Sequence, residues 1–209
     1  MQFKLSVLTI SLVLLGATGY ALSQNTSSKT VAQPSHVKLP PQAERIGNLE
    51  VMRSMMECIY APDNIEELIA KSDIIAIGKP ATSVTESKTL IQRHSDGSVI
   101  GAISEVEFKV TKVFKGDSNT KSVKVGQQAA VMTDKHHRKF VQILEGYQPM
   151  EKDKKYLLFL RKSLSGNLYF PNGVMFGKHN TDGTDKEEVK SIDVRVNAIR
   201  KLALERFKE

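Results

Sequence analysis

A mainly β domain with flanking helices is what this sequence predicts: a small barrel of five or six antiparallel strands, short helices before it and one helix after it. Three observations carry that expectation. Residues 103–114 alternate, with Val106, Phe108 and Val110 set against Glu105, Glu107 and Lys109, the two-residue period of a strand with one dry and one wet face. Two uninterrupted apolar runs, one opening at Ile74 and one covering Tyr156 to Leu160, suit strands buried on both faces. Between such segments stand turn formers: Asp96-Gly97, Lys115-Gly116-Asp117 and Pro171-Asn172-Gly173. With 40% hydrophobic and 25% charged residues in 209, the composition is that of a globular protein with one domain and flanking segments.

The elements follow in chain order. Residues 1–23 begin with one cation, Lys4, continue through an apolar run from Leu5 to Leu15 and end in small residues, the composition of an export signal. Gly19 with Ala21, or Ala21 with Ser23, would suit a peptidase; uncut, the segment would serve as a membrane anchor. Residues 24–45 are polar, carry Pro34, Pro40 and Pro41 and have no apolar face to offset the entropy of ordering, so they are expected to be a disordered linker. Residues 46–71 are expected to be a helical lead-in. Ile46, Leu49, Val51, Met52, Met55, Met56 and Ile59 fall mainly at helical spacings, and after Pro62 the pair Asp63 and Glu66 has the form of a capping box for a short helix with Ile65, Leu68 and Ile69 inward.

The barrel is expected over 72–178. Residues 74–84 form its first strand, with Gly78 and Pro80 placed for a bulge or bend. The chain returns through 103–114 after the Asp96-Gly97 tip. Short strands follow at 122–125 and 129–132, divided by Gly126, then at 140–144 after a charged loop, and at 155–160. A hairpin of 168–170 with 174–176 around Pro171-Asn172-Gly173 completes the set. Over 179–209, Val189, Ile192, Val196, Ile199, Leu202 and Leu204 recur at roughly helical spacing and predict a loop and a closing helix.

Ser72-Asp73-Ile74-Ile75-Ala76-Ile77-Gly78, Val110-Thr111-Lys112-Val113-Phe114-Lys115-Gly116-Asp117 and Tyr156-Leu157-Leu158-Phe159-Leu160 together resemble uncharacterised secreted or surface-attached bacterial domains. The pattern is similar to the OB-like barrel of tissue metalloproteinase inhibitors and netrin-like modules, over about residues 70–177. In the inhibitors an N-terminal cysteine chelates the protease's zinc and disulfides staple the barrel. Here the single cysteine, Cys58, stands well inside the chain, so the resemblance implies the fold and not that mechanism.

The chemistry-bearing residues form no reaction motif. Cys58 has no partner for an intrachain disulfide and is expected to be a packed apolar thiol; as a nucleophile it would need a base from among His36, His94, His136, His137 and His179, and no flanking signature marks it as activated. No Gly-x-Ser-x-Gly elbow occurs. His136 and His137 are adjacent, so they diverge on either a strand or a helix, and a metal site there with Asp134 would be unusual. Glu105 and Glu107 are most simply the wet side of a strand. Lys135, His136, His137, Arg138 and Lys139, with Lys152, Lys154, Lys155, Arg161 and Lys162, would attract anionic polymers by charge alone. Aromatic residues lie mostly in apolar strand runs, unlike the exposed stacking platforms of nucleic-acid binders.

The expectation is therefore an exported binding domain without catalytic, cofactor or metal residues, secreted or held at the extracytoplasmic face of the membrane. It is expected to be monomeric and to recognise a protein or an anionic envelope polymer, not nucleic acid. The competing expectations are a thiol- or metal-dependent enzyme using Cys58 or the His136-His137 loop, and a protease inhibitor acting through barrel loops.

Overall fold

The computed structural model describes residues 43–55, 60–164, 166–189 and 193–208, all within one compact unit, Pro41–Glu209. The export segment, most of the linker, His36 and Cys58 lie outside the described residues. Among the described residues no helix is long and apolar enough to cross a membrane.

The chain runs through β1 (Arg45–Ile46), β2 (Leu49–Ser54), α1 (Ile65–Ala70), β3 (Ile74–Pro80), β4 (Lys88–Arg93) and the long β5 (Val99–Lys115). It continues through β6 (Ser122–Gln127), β7 (Ala129–Thr133), β8 (Lys139–Leu144), β9 (Tyr156–Lys162) and β10 (Tyr169–Pro171). A 3-10 turn (Val174–Gly177) then leads to β11 (Lys178–Asn180), α2 (Lys186–Val189) and α3 (Val194–Arg206).

Five strands close into an OB-like barrel in the order β3, β5, β6, β10, β9 and back to β3. One contact departs from the expected all-antiparallel set: β6 and β10 are parallel. The reason is arithmetic, since an odd number of strands cannot alternate direction all the way round a closed ring. Outside the barrel, β1, β2, β8 and β7 form a separate four-stranded sheet in that order.

The apolar run of β3 is buried on both faces because it separates two cores. Ile74 and Ala76 face the barrel interior with Phe108, Val125, Leu158 and Leu160. Ile75 and Ile77 face a second layer in which Leu157 and Phe159 meet Ile65 and Leu68 of α1 and Val196, Ile199 and Ala203 of α3. The same alternation in β9 explains its unbroken apolar sequence. A third cluster, Val84, Ala129, Val141, Ile143 and Tyr147 with Leu49 and Val51, fills the small sheet.

Gly78 sits at the expected irregularity, where the β3–β5 register shifts between Ile77 and Gly78. A Cβ there would lie 2.2 Å from the Lys109 carbonyl oxygen, a backbone atom that cannot step aside without breaking the ladder. Gly78→Ala is expected to lower the free energy of unfolding by about 2 kcal/mol or more, measured by chemical denaturation. The readout is circular dichroism, because the chain has no tryptophan.

Several local expectations are corrected. Over its residues 46–54 the helix expected at 46–60 is instead the β1–β2 hairpin, turned at Gly47 with φ +60°, and Met56 and Ile59 lie outside the described residues. Its apolar residues straddle a turn, so Ile46 and Leu49 imitate a three-residue helical spacing while being cross-strand partners. The first barrel strand ends at Pro80 and not at residue 84. The capping box lies one residue later than expected: Asn64 Oδ1 accepts from Glu67 N at 2.9 Å, and Glu67 Oε2 accepts from Asp63 N at 2.7 Å.

Gly126 lies inside β6 and does not divide two strands; the Phe170 ring occupies the place its Cβ would take. Residues 174–176 are a 3-10 turn and not a strand, entered through Gly173 and Val174, both with positive φ. β10 pairs instead with the far half of β9, and β11 with the near half of the same edge. The closing helix is split into α2 and α3; α3 buries Val196, Ile199 and Ala203 and leaves Leu202 exposed. Ile192 lies outside the described residues.

Candidate functional site

β11 is an edge strand whose three residues, Lys178, His179 and Asn180, are all buried. Polar side chains at an edge are normally wet; here α2 and α3 close over them. The register opposite β9 sets their directions. Asn180 lies opposite Tyr156 and Lys178 opposite Leu158, on the barrel-interior side, whereas His179 lies opposite Leu157 and shares the helix-covered side.

The interior-side residues are saturated with hydrogen bonds. Lys178 Nζ meets Glu188 Oε2 at 2.7 Å, with Lys178 2% and Glu188 10% exposed. Asn180 N donates to Glu188 Oε1 at 2.8 Å, Glu188 N to Asp185 Oδ1 at 3.1 Å, and the Tyr156 hydroxyl to Asp185 Oδ2 at 2.9 Å. The Lys178 ammonium also stands 5.0 Å from the Tyr156 ring centroid and 5.7 Å from that of Tyr147, a cation–π arrangement. Burial pushes both phenols well above the usual tyrosine range, so neither supplies a phenolate.

His179 is the opposite case. It is fully buried, stands edge-on to Phe159 at 5.9 Å between ring centroids, and neither ring nitrogen has a hydrogen-bond partner among the described residues. Burial first, and then the Lys178 and Arg200 cations, lower its pKa to about 3. The Phe176 carbonyl lies near enough to oppose the shift but outside hydrogen-bonding geometry. The imidazole is therefore neutral at ordinary pH.

A cavity of about 470 Å³ opens beside this strand, bounded by Tyr147, Met175, Lys178, His179, Val196 and Arg200, with Arg53, Glu145, Glu187, Glu188 and Asp193 also along its walls. Most of these charges are already satisfied. Arg53 holds Glu44 through two hydrogen bonds of 2.7 and 3.0 Å, Glu188 holds Lys178, and Asp193 caps α3 by accepting from Arg195 N and Val196 N. Arg200 is half-buried, and among the described residues no hydrogen bond or ion pair engages its guanidinium. Among the described residues no serine, threonine or cysteine lines the cavity. A second cavity of about 470 Å³, between the β4–β5 hairpin and the small sheet, is lined among the described residues by no ionisable side chain.

The residues singled out by sequence lie elsewhere. His94 is in the exposed β4–β5 turn, and His136 and His137 are exposed in the β7–β8 turn. Asp134 accepts there from Arg138 N, His136 N and Arg138 Nε, so its carboxylate staples the turn. The Arg138 N–H is the first cause of its lowered pKa. Among the described residues no three His, Cys, Asp or Glu side chains are grouped as metal ligands. Glu105 pairs with Lys124 at 2.9 Å on the wet side of the sheet, and Glu107 lies opposite that lysine.

The basic residues do not form one face. Lys152 pairs with Glu86 and Lys154 with Glu151, whereas Arg161 and Lys162 lie at the far end of β9, about 20 Å along the strand from Lys155. Lys178, Glu188, Asp185, Tyr147 and Tyr156 were not distinguished by sequence, and His179 was grouped with the turn histidines. A polar Lys-His-Asn triplet gives no sign that later helices will bury it.

A scan against protein-family models finds none that matches this chain, and a search of curated proteins finds no match either.

Proposed function

We propose that this chain is an exported, non-enzymatic binding domain of the cell envelope that recognises its ligand in the cavity between β11, α2 and α3. The observation that carries this reading is the contrast within the site: among the described residues Lys178, Asn180, Asp185, Glu188 and Tyr156 are all paired, while the Arg200 guanidinium at the cavity is engaged by no hydrogen bond or ion pair. An unengaged guanidinium at the wall of a cavity is a group that a polar ligand would satisfy. The leader composition of residues 1–23 supports export, and the likeness of the barrel pattern to netrin-like modules supports a recognition role.

The test is capture from a cell-envelope preparation by the full chain at low and high salt, alongside Gln148→Trp, which adds bulk to the half-buried wall residue Gln148. Capture by the natural chain that falls at least tenfold in the variant supports the cavity. Persistence of that capture in high salt marks a shaped protein partner, and its loss marks a polyanion. Equal capture by both proteins overturns the reading.

A further inference from the structure

We propose that the cavity between the β4–β5 hairpin and the small sheet takes an uncharged peptide segment as an added strand, paired to the open edge of β5 and continuing the line of β6. This site is separate from the β11–α3 cavity and goes beyond the role given to it above.

The open edge arises because β5 outruns one of its neighbours. Residues 99–105 pair with β4 on one side, but on the other side β6 reaches only to the Ser104–Gln127 pair before the chain turns into β7. Alternate residues of an antiparallel strand send their N–H and C=O to opposite sides. Val110 N donates to Lys121 O on the β6 side at 2.9 Å, and Glu107 O accepts from Ala81 N on the β3 side at 2.8 Å. The β5–β6 register is unshifted, so counting back by twos from Val110 aims the N–H and C=O of Ala102 at the edge beyond the end of β6. Among the described residues no strand pairs there.

The cavity of about 470 Å³ runs along that edge. Ile100, Gly101, Ala102 and Ile103 all line it; consecutive residues face opposite sides of a strand, so they share a cavity where it meets the strand edge-on. Gln142 and Leu144 of β8 stand on the other wall.

The lining selects the chemistry of the occupant. Gln92, Gln128 and Gln142 line the cavity, and among the described residues no hydrogen bond engages their side-chain amides. Each amide donates and accepts, as a peptide unit does. No ionisable side chain lines the cavity among the described residues, so a charged guest would lose water without gaining a counter-ion. Leu90, Ile103 and Phe170 supply apolar wall for alternate side chains, while pairing with Ala102 supplies main-chain hydrogen bonds, the two parts of recognition by strand addition.

The experiment is an NMR titration of the full chain with acetyl-threonyl-valyl-threonyl-valyl-threonine amide. Two controls are the same peptide N-methylated at every residue and the analogue with glutamate in place of valine. The parent peptide is expected to bind at least tenfold more tightly than either control and to slow hydrogen exchange at Ala102 N–H. Ala102→Pro removes that donor without removing a ladder bond, and Gln92→Trp adds bulk to an exposed wall residue; each should weaken binding at least tenfold. If Ala102→Pro does not fold, Gln92→Trp decides. No binding of the parent, equal binding of the methylated peptide, unchanged exchange at Ala102 on saturation, or full binding by Gln92→Trp overturns the proposal. So does a dimer of the free chain that Gln92→Trp abolishes, since a second copy would then cover the edge. Gln148→Trp should bind the peptide undiminished, so this proposal and the β11–α3 reading fail separately; loss of peptide binding in that variant would place the peptide in the other cavity and overturn this one.

Discussion

Replacing Lys178 by methionine is expected to lower the free energy of unfolding by about 3–5 kcal/mol, the cost of leaving a buried carboxylate without its counter-ion. Lys178 is 2% and Glu188 10% exposed, so water replaces little of the lost contact. Methionine keeps the apolar stem, which makes charge and not packing the main change. The consequences extend through the hydrogen-bonded chain, because Glu188 also accepts from Asn180 N and donates its own N–H to Asp185. Lys178→Met combined with Glu188→Gln should recover a large part of the loss, since the amide oxygen still accepts from Asn180 and neither position carries an unmatched charge. Equilibrium denaturation of the two single variants and the pair gives the coupling energy. A loss below 1 kcal/mol in Lys178→Met would mean that the pair is not sealed from water.

The second large effect is with pH. The folded-state pKa of His179, about 3, lies below the unfolded value of about 6.5, so below pH 6.5 the unfolded chain binds a proton that the folded chain refuses. Stability attributable to this group is fully present above pH 6.5 and is lost as pH falls toward the folded value. At about 1.4 kcal/mol per unit, the loss between pH 6.5 and 4.5 is roughly 2–3 kcal/mol. His179→Phe, of similar shape and beside Phe159, cannot titrate and should flatten the stability profile across that window. Asp134, whose folded pKa is lowered first by the Arg138 N–H, brings its own loss in only at more acid pH. Denaturation midpoints at half-unit intervals of pH distinguish the two proteins; parallel profiles would show that His179 charges freely in the fold.

Both effects arise in a part of the molecule where pattern was a poor guide, whereas the barrel itself was legible. The period-2 run around Val106 and Phe108, the apolar segments beginning at Ile74 and Tyr156, and the Asp96-Gly97 turn all act over a few residues, and each appears where expected. The lead-in was misread because Ile46 and Leu49 satisfy a helical and a hairpin spacing equally well. Gly47 in the left-handed region decides between them, and glycine alone does not announce which conformation it takes. The strand expected at 174–176 failed for a related reason: those residues bridge two segments that both lie on one edge of β9, and edge sharing is invisible along the chain.

By itself, then, the sequence determined the strand periods, the turns and, through Val196 and Ile199, part of the buried side of the last helix, because each is encoded by residues within one or two turns of one another. Tertiary structure alone decided how the ring closes, with β6 and β10 forced parallel by its odd strand count. It also decided which polar residues are sealed. Lys178 and His179 become a buried ion-pair partner and an unpartnered imidazole only when α2 and α3 fold back over β11. Burial is a property of what covers a residue, and the cover here comes from residues eight or more positions further along the chain.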